Sequence, residues 1–300
     1  MQGTPAAPLQ YDGAGRLIAI PGVISDIRYN AHGQSQVVSY ANGVTSTFTY
    51  DSTRGWLTGV THANAAGPLM ALTYSRAATG RINAIASVTD PTESWSYAYD
   101  DLDRLLSASN AGNASYNQTF AYDIANNITF NSAVGTYTYP LAAQPHPHAP
   151  LTAGSKAFAY NANGDITSDG TRTFAYDGEN RPANVSGTLY TYGPDGERIS
   201  KTTPGGTTLY LGGDVELAGG VWTKYLNPDA KRVGPTPGSS VTTWLHADHL
   251  GSIRLITGPA GEQLERANYR PYGQQFPGLG QSKGFIGEKF DPEGNRRNEP

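Results

Sequence analysis

A chain of 300 residues can hold one large domain or two of ordinary size, and a formal net charge of −4 with a pI near 5.8 gives no electrostatic reason to expect nucleic acid. Only 15% of residues are charged, against roughly a quarter in typical soluble domains, while tyrosine (19) outnumbers phenylalanine (8); the highly charged, aromatic-poor composition of disorder is excluded. Cysteine is absent, so no disulfide framework or thiolate metal site can form, and no apolar run reaches the roughly 18 residues of a membrane helix.

Residues 1–10 are a polar, proline-containing lead-in without the charged and apolar regions of a signal peptide. Tyr11-Asp12 then opens a frame that returns along the chain at roughly 20-residue intervals. Its copies are Tyr29-Asn30, Phe48-Thr-Tyr50-Asp51, Tyr97-Ala-Tyr99-Asp100, Phe120-Ala-Tyr122-Asp123, Phe158-Ala-Tyr160-Asn161, Phe174-Ala-Tyr176-Asp177 and Tyr190-Thr-Tyr192-Gly193. Two aromatics one residue apart point to the same face of a strand, as Trp95, Tyr97 and Tyr99 do opposite Ser94, Ser96 and Ala98. The following Asp or Asn can bond backbone N–H groups two residues on and start a turn. Four places past each tyrosine stand Gly15, Gly33, Asp103, Asn126, Gly164, Asn180 and Gly196, the residue types that best tolerate positive φ. Arg54 is the exception, and Gly55 supplies the permissive residue one place later. Leu17, Leu105, Ile128 and Ile166 begin return strands, so one repeat reads as a β-hairpin. The fold expected is all-β, built from consecutive antiparallel hairpins in a curved, spiralling sheet.

Between the frames, Asn42-Gly43 is a further turn dipeptide, and Thr45 to Tyr50 alternates as a half-exposed strand should. Asp101 to Leu106 carries leucines at helical spacing but falls where the repeat demands a turn, and the turn is favoured. Residues 140–150, with Pro140, Pro145, Pro147 and Pro150, cannot form a central strand and read as a surface loop. Lys231 to Ser240 reads as another Gly/Pro-rich loop. Outside the frame, Gly154 is expected to tolerate substitution better than Gly164.

Chemistry-bearing constellations are sparse. His246, Asp248 and His249 form the tightest group of metal-ligand types, but on a strand the two histidines would face opposite ways, so a structural role is favoured. His146 and His148 sit in the proline-rich loop and read as solvated. The Gly205-Gly206 and Gly212-Gly213 pairs lack the lysine and helix of a phosphate loop, and no G-x-S-x-G elbow occurs. No catalytic, cofactor-binding or metal residue is assigned.

The Tyr-Asp frames resemble the YD repeats of the Rhs family, to which the Tc-toxin shell components and teneurins also belong. His246-Ala-Asp248-His249-Leu250-Gly251-Ser252, Tyr269-Arg-Pro271-Tyr272-Gly273 and Gly284-Phe285-Ile-Gly287 through Asp291-Pro292 resemble the Rhs repeat-associated core. The resemblance implies a repeat array over 1–139, a loop at 140–150, a continued array over 151–230 and a truncated core over 241–300. It further implies a bacterial protein, secreted or at the cell surface, whose sheet encloses a toxic polypeptide and joins other shell segments, with a secretion machinery as a further partner. Tyr50, Tyr97, Tyr99, Tyr122, Tyr160, Tyr176 and Tyr192 would then pack and line the inner face. Some members cleave themselves at P-x-x-x-x-D-P-x-G-L; here Ile286 replaces the proline and Asn295 the leucine, so autoproteolysis is not expected. A start in mid-array and a core that stops early imply unpaired edges and self-association. The alternative from another class is a surface module that stacks its aromatics on glycans.

Overall fold

The computed structural model describes residues 8–276, 283–289 and 291. Among them the regular structure is strand, apart from four three-residue 3₁₀ turns at Pro91–Glu93, Ala114–Tyr116, Pro237–Ser239 and Phe285–Gly287. The all-β expectation holds. Asp101–Asp103 is turn, and strand begins at Leu105.

The chain divides into two compact units that do not follow sequence blocks. One takes residues 1–97, 109–116 and 221–290; the other takes 98–108, 117–220 and 291–300.

In the first unit, Ile24–Tyr29, Ser35–Tyr40, Thr45–Tyr50, Leu57–Asn64, Gly67–Arg76 and Ile82–Ser87 pair successively and antiparallel. A second run pairs Val221–Asn227, Ala230–Gly234, Val241–Ala247, Ile253–Thr257 and Gln263–Arg266 in the same way. The runs share a core: Val23, Ile24, Ile27, Val38, Tyr40 and Val44 bury against Ala230 and Trp244. The Trp244 indole N–H donates to the Val23 carbonyl at 2.8 Å, satisfying a buried polar group while its ring packs.

The second unit pairs Gln118–Tyr122, Ile128–Asn131, Gly135–Thr138, Thr152–Ala153 and Lys156–Ala157 in sequence. Further on, Phe174–Tyr176, Pro182–Val185, Thr188–Tyr192, Arg198–Thr203, Gly206–Tyr210 and Val215–Ala218 form another meander. Phe174, Val185 and Tyr190 form its core, with Ile166, Tyr176 and Tyr192 packed against it.

Two sequence expectations are corrected. The loop assigned to Lys231–Ser240 begins only after Gly234: Lys231, Arg232 and Val233 lie in a strand opposite Thr243, Thr242 and Val241. The glycines and prolines that suggested a loop begin only at Gly234, the last residue of that strand, and continue with Pro235, Pro237 and Gly238. Gly154 is the less tolerant glycine, because it has φ +58° and an added Cβ would sit 2.0 Å from the Val134 carbonyl oxygen. At Gly164, φ +88°, the added atom would meet the His146 ring at 3.1 Å, and a side chain yields more easily than backbone.

Candidate functional site

The repeated unit is a five-residue turn whose bonds are the same in every full copy. In Asp12–Arg16 the Asp12 N–H donates to the Arg16 carbonyl at 2.9 Å, and the Gly15 N–H donates to the Asp12 carbonyl at 3.0 Å. Asp12 Oδ1 accepts the N–H groups of Ala14 and Arg16, each at 2.9 Å. Asn30, Asp100, Asp123, Asn161 and Asp177 repeat this pattern. Every position assigned to the left-handed region has positive φ: Gly15, Gly33, Gly55, Asp103, Asn126, Gly164, Asn180 and Gly196. The tyrosine before the turn takes a register shift against its partner strand, as at Tyr11, Tyr29, Tyr50, Tyr122, Tyr160, Tyr176 and Tyr192. A turn followed by a bulge with an αL residue is a favoured way to close a short hairpin.

Each unit is tied to the one before it. The tyrosine hydroxyl donates to a carbonyl just past the preceding turn or loop: Tyr29 to Leu17 (2.6 Å), Tyr50 to Ser35 (2.9 Å), Tyr122 to Leu105 (2.9 Å) and Tyr160 to Pro150 (2.7 Å). Tyr176 reaches Ile166 at 2.9 Å and Tyr192 reaches Pro182 at 2.8 Å. Phenylalanine could pack in these places but could not make that bond, which accounts for the preference for tyrosine. The lining tyrosines Tyr50, Tyr97, Tyr99, Tyr122, Tyr160, Tyr176 and Tyr192 are all half-buried, whereas Tyr11 is exposed.

Sequence reasoning missed the arginine that closes the turn. Nε of Arg16, Arg104 and Arg181 donates to Oδ2 of Asp12, Asp100 and Asp177 at 2.7, 2.6 and 2.7 Å. The same guanidiniums lie over the tyrosine ring of the next repeat: Tyr29 at 4.7 Å, Tyr122 at 4.9 Å and Tyr192 at 4.9 Å. Bonds from the backbone N–H and then the guanidinium of the partner arginine hold the Asp12 carboxyl below its ordinary pKa. In Asp177 the Arg181 backbone N–H and side chain outweigh a burial effect that pushes upward, with the same net direction. The recurring Asp-x-x-x-Arg spacing was the available signal.

Several copies lack the Asp or Asn, Gly193 among them: its N–H donates to the Glu197 carbonyl at 2.8 Å and the Gly196 N–H donates to the Gly193 carbonyl at 3.0 Å. Ala77 N–H closes on Arg81 O, and Gly80 N–H on Ala77 O, so a full turn forms without Asp. Tyr139 bonds back to the Ile128 carbonyl at 2.9 Å, but Pro140 follows it and residues 140–150 replace the tight turn. His146 and His148 diverge, the first packed by Gly164 and the second sharing a 2.9 Å hydrogen bond with Asn127.

The segment His246–Ser252 holds another copy of the turn. Asp248 accepts the N–H groups of Leu250 (2.9 Å) and Ser252 (3.1 Å), Gly251 has φ +80°, and the Tyr269 hydroxyl reaches back to the Ile253 carbonyl at 2.8 Å. Leu250 is exposed at the turn. His246 is buried between Tyr40 and His62, each 5.0 Å away by ring centroid, and His249 lies 4.6 Å from Tyr74. The three candidate ligands therefore have separate neighbours. Among the described residues no group of three or more His, Asp or Glu is placed to hold a metal ion.

Behind this turn lies a charged cluster that the sequence did not announce. Glu93, with no exposed side-chain surface, accepts from Arg254 Nη2 (3.1 Å), Arg266 Nε (3.1 Å), Arg266 Nη2 (2.7 Å) and Ser87 Oγ (2.9 Å). Arg254 also donates to Asn268 Oδ1 (2.6 Å) and the Ala267 carbonyl (2.8 Å), and its Nη1 lies 3.5 Å from Asp248. Arg266 reaches the Leu69 carbonyl at 2.6 Å. A buried charge needs this degree of partnering to persist. The one sequence hint is Arg254 within the otherwise uncharged, fully buried strand Ile253–Thr257. These groups bind one another.

The second unit has a groove of about 350 Å³ lined by Val134, Lys156, Phe158, Asp169 and Arg172 among others. Asp169 there is held by Arg172 at 2.6 and 2.8 Å.

No family profile and no curated protein matches the chain. Solved structures do match. The crystal structure of TcdB2-TccC3 aligns with TM-score 0.70 and 17% identity over 94% of this chain. A TcdB2-TccC3-TEV crystal structure gives 0.69 and 16% over 95%. A structure of the Photorhabdus luminescens Tc holotoxin pore gives 0.69 and 17% over 95%. In each case the alignment covers 18% of the matched chain, so this sequence spans under a fifth of those proteins. The Tyr-Asp turns, their bulges and the fold shared with these chains together make this protein similar in architecture to the TcdB2-TccC3 chains, the fold that its YD-repeat resemblance implies.

Proposed function

We propose that the chain is a structural segment of the wall of an Rhs-type toxin shell, which encloses a toxic polypeptide for secretion from a bacterium and delivery. The observation that carries this reading is the serial tie of each hairpin to the last through tyrosine hydroxyl and arginine stack, on a fold shared with TcdB2-TccC3 over about 95% of the chain. Residues 1–139 and 151–230 act as hairpin arrays joined by the 140–150 loop, and 241–300 as a core segment. Its partners are the remaining shell segments, the enclosed polypeptide and a secretion machinery. The role is scaffolding and not catalysis. Of the partial cleavage motif, Ile286 and Asp291 are described, while Pro292 to Asn295 lie outside the described residues. Against glycan binding, the hydroxyls of the repeat tyrosines are committed to backbone carbonyls, and arginines cover several of the rings.

Electron microscopy of the product of the complete coding region that contains this sequence tests the reading. The expected result is a hollow closed particle with these hairpins in its wall. A solid or open-ended rod would overturn it, as would saturable binding of this chain on a glycan array.

A further inference from the structure

His62 and His246 meet in the first unit although 184 residues separate them. Both are buried, with ring centroids 5.0 Å apart. His62 Nδ1 shares a 2.6 Å hydrogen bond with Ser46 Oγ, and Nε2 lies 3.2 Å from the Ala247 carbonyl. His246 Nε2 shares a 2.8 Å bond with Thr257 Oγ1, while its buried Nδ1 has no hydrogen-bond partner among the described residues. The pair therefore joins the early strands Thr45–Tyr50 and Leu57–Asn64 to the late strands Val241–Ala247 and Ile253–Thr257.

We propose that this pair is an acid-released latch, holding strand Val241–Ala247 on the early hairpins while both rings are neutral and freeing it when either takes up a proton. The proposal stands on the contact itself and is independent of the shell reading. A second proton on either ring would be buried with no carboxylate bonded to it. From strand Ser35–Tyr40, Tyr40 faces the pair with its ring edge on His246, and its hydroxyl lies 3.3 Å from Ser46 Oγ. From the late strands come Thr257 and Arg254, whose positive charge opposes protonation of His62. His249 and Asp248 belong to the adjoining turn, with His249 turned to Tyr74. Asp229 acts on the pair at one remove, through Tyr40. Burial, with the Arg254 charge behind it, pushes the His62 pKa down to about 4, and burial followed by the nearness of His62 pushes His246 well below its ordinary value.

The freed rings titrate near 6.5, so the latched state is fully favoured above that pH and loses ground as pH falls from about 6.5 toward 4. For His62 alone the latched-to-free ratio at pH 5 drops about thirtyfold relative to pH 7.5.

Hydrogen–deuterium exchange of the 241–247 strand, corrected for intrinsic rates, is to be compared at pH 7.5 and 5 in the wild type and in His62→Gln. The expected result is a loss of protection in the wild type about thirtyfold greater than in the variant, with the strands of the second unit as internal reference. Because Asp229 and the other carboxylates are common to both proteins, their titration cancels in this ratio. Parallel losses in the two proteins would overturn the proposal. Should His62→Gln not fold at pH 7.5, NMR titration of the histidine rings in the wild type decides. Two rings that stay neutral to pH 5 while 241–247 exchanges faster support the latch; rings titrating near 6.5 in the closed protein refute it.

Discussion

Replacing Glu93 with glutamine keeps the shape of the buried side chain and removes its charge. Four donors converge on the native carboxylate: Arg254 Nη2 and Arg266 Nε on Oε1, and Arg266 Nη2 and Ser87 Oγ on Oε2. The glutamine oxygen can keep the first two. Its amide nitrogen would then face Arg266 Nη2 across 2.7 Å, donor against donor, and a guanidinium cannot accept. One charged hydrogen bond is lost, at roughly 1.5–3 kcal/mol, and Arg254 and Arg266 lose the anion between them. The total expected is about 3 kcal/mol for Glu93→Gln and about 4–5 kcal/mol for Glu93→Ala, the range for breaking a buried pair from one side. All four tryptophans, Trp56, Trp95, Trp222 and Trp244, belong to the first unit, so their fluorescence in a urea titration follows that unit. At m of about 2 kcal/mol/M the Gln variant should move the midpoint down by roughly 1.5 M, and added salt should not close the gap. Asp12→Asn is the control: its pair with Arg16 is screened by solvent, so this variant should move the midpoint far less than Glu93→Gln. A Glu93→Gln midpoint within about 0.3 M of the wild type would refute the view that this cluster depends on its charge.

Gly154→Ala should cost upward of about 2 kcal/mol because backbone must move, against about 1 kcal/mol for Gly164→Ala, where a histidine can yield; urea melts followed by far-UV circular dichroism test the order, and the reverse ranking would refute it. Tyr176→Phe and Tyr192→Phe should each cost about 0.5–1.5 kcal/mol through the lost bonds to Ile166 and Pro182, and no measurable cost in the same melts would show the hydroxyls to be dispensable. In the first unit, His62 should withdraw roughly 3 kcal/mol of stability as pH falls from about 6.5 to about 4. Asp229 works the other way: burial raises its carboxyl to about 6, so its folded form gains a proton first and stability falls as pH rises from about 4 to about 6. Asp229→Asn should therefore steepen the acid limb of the tryptophan-monitored stability profile, and an unchanged limb would contradict the assignment.

Within a single turn, what the chain does is written in five consecutive residues. Asp12 bonds the N–H groups of Ala14 and Arg16, Gly15 takes positive φ, and none of this depends on a distant partner. Eight αL positions and the all-β class were accordingly legible from residue type and spacing alone. The Ala77 turn was not, because its bonds are backbone to backbone and carry no side-chain signature. Nor was the strand through Lys231–Val233, whose membership rests on pairing with Val241–Thr243. Glu93 carries no local signature; its role comes from Arg254 and Arg266, which tertiary structure brings to it from 161 and 173 residues away. His62 and His246 likewise gained their meaning from each other, and Gly154 from Val134. Short loops close on their own atoms, so composition and spacing suffice for them. Which strand faces meet depends on twist and bulges accumulated over many hairpins, and those sums are settled only when the whole sheet has packed.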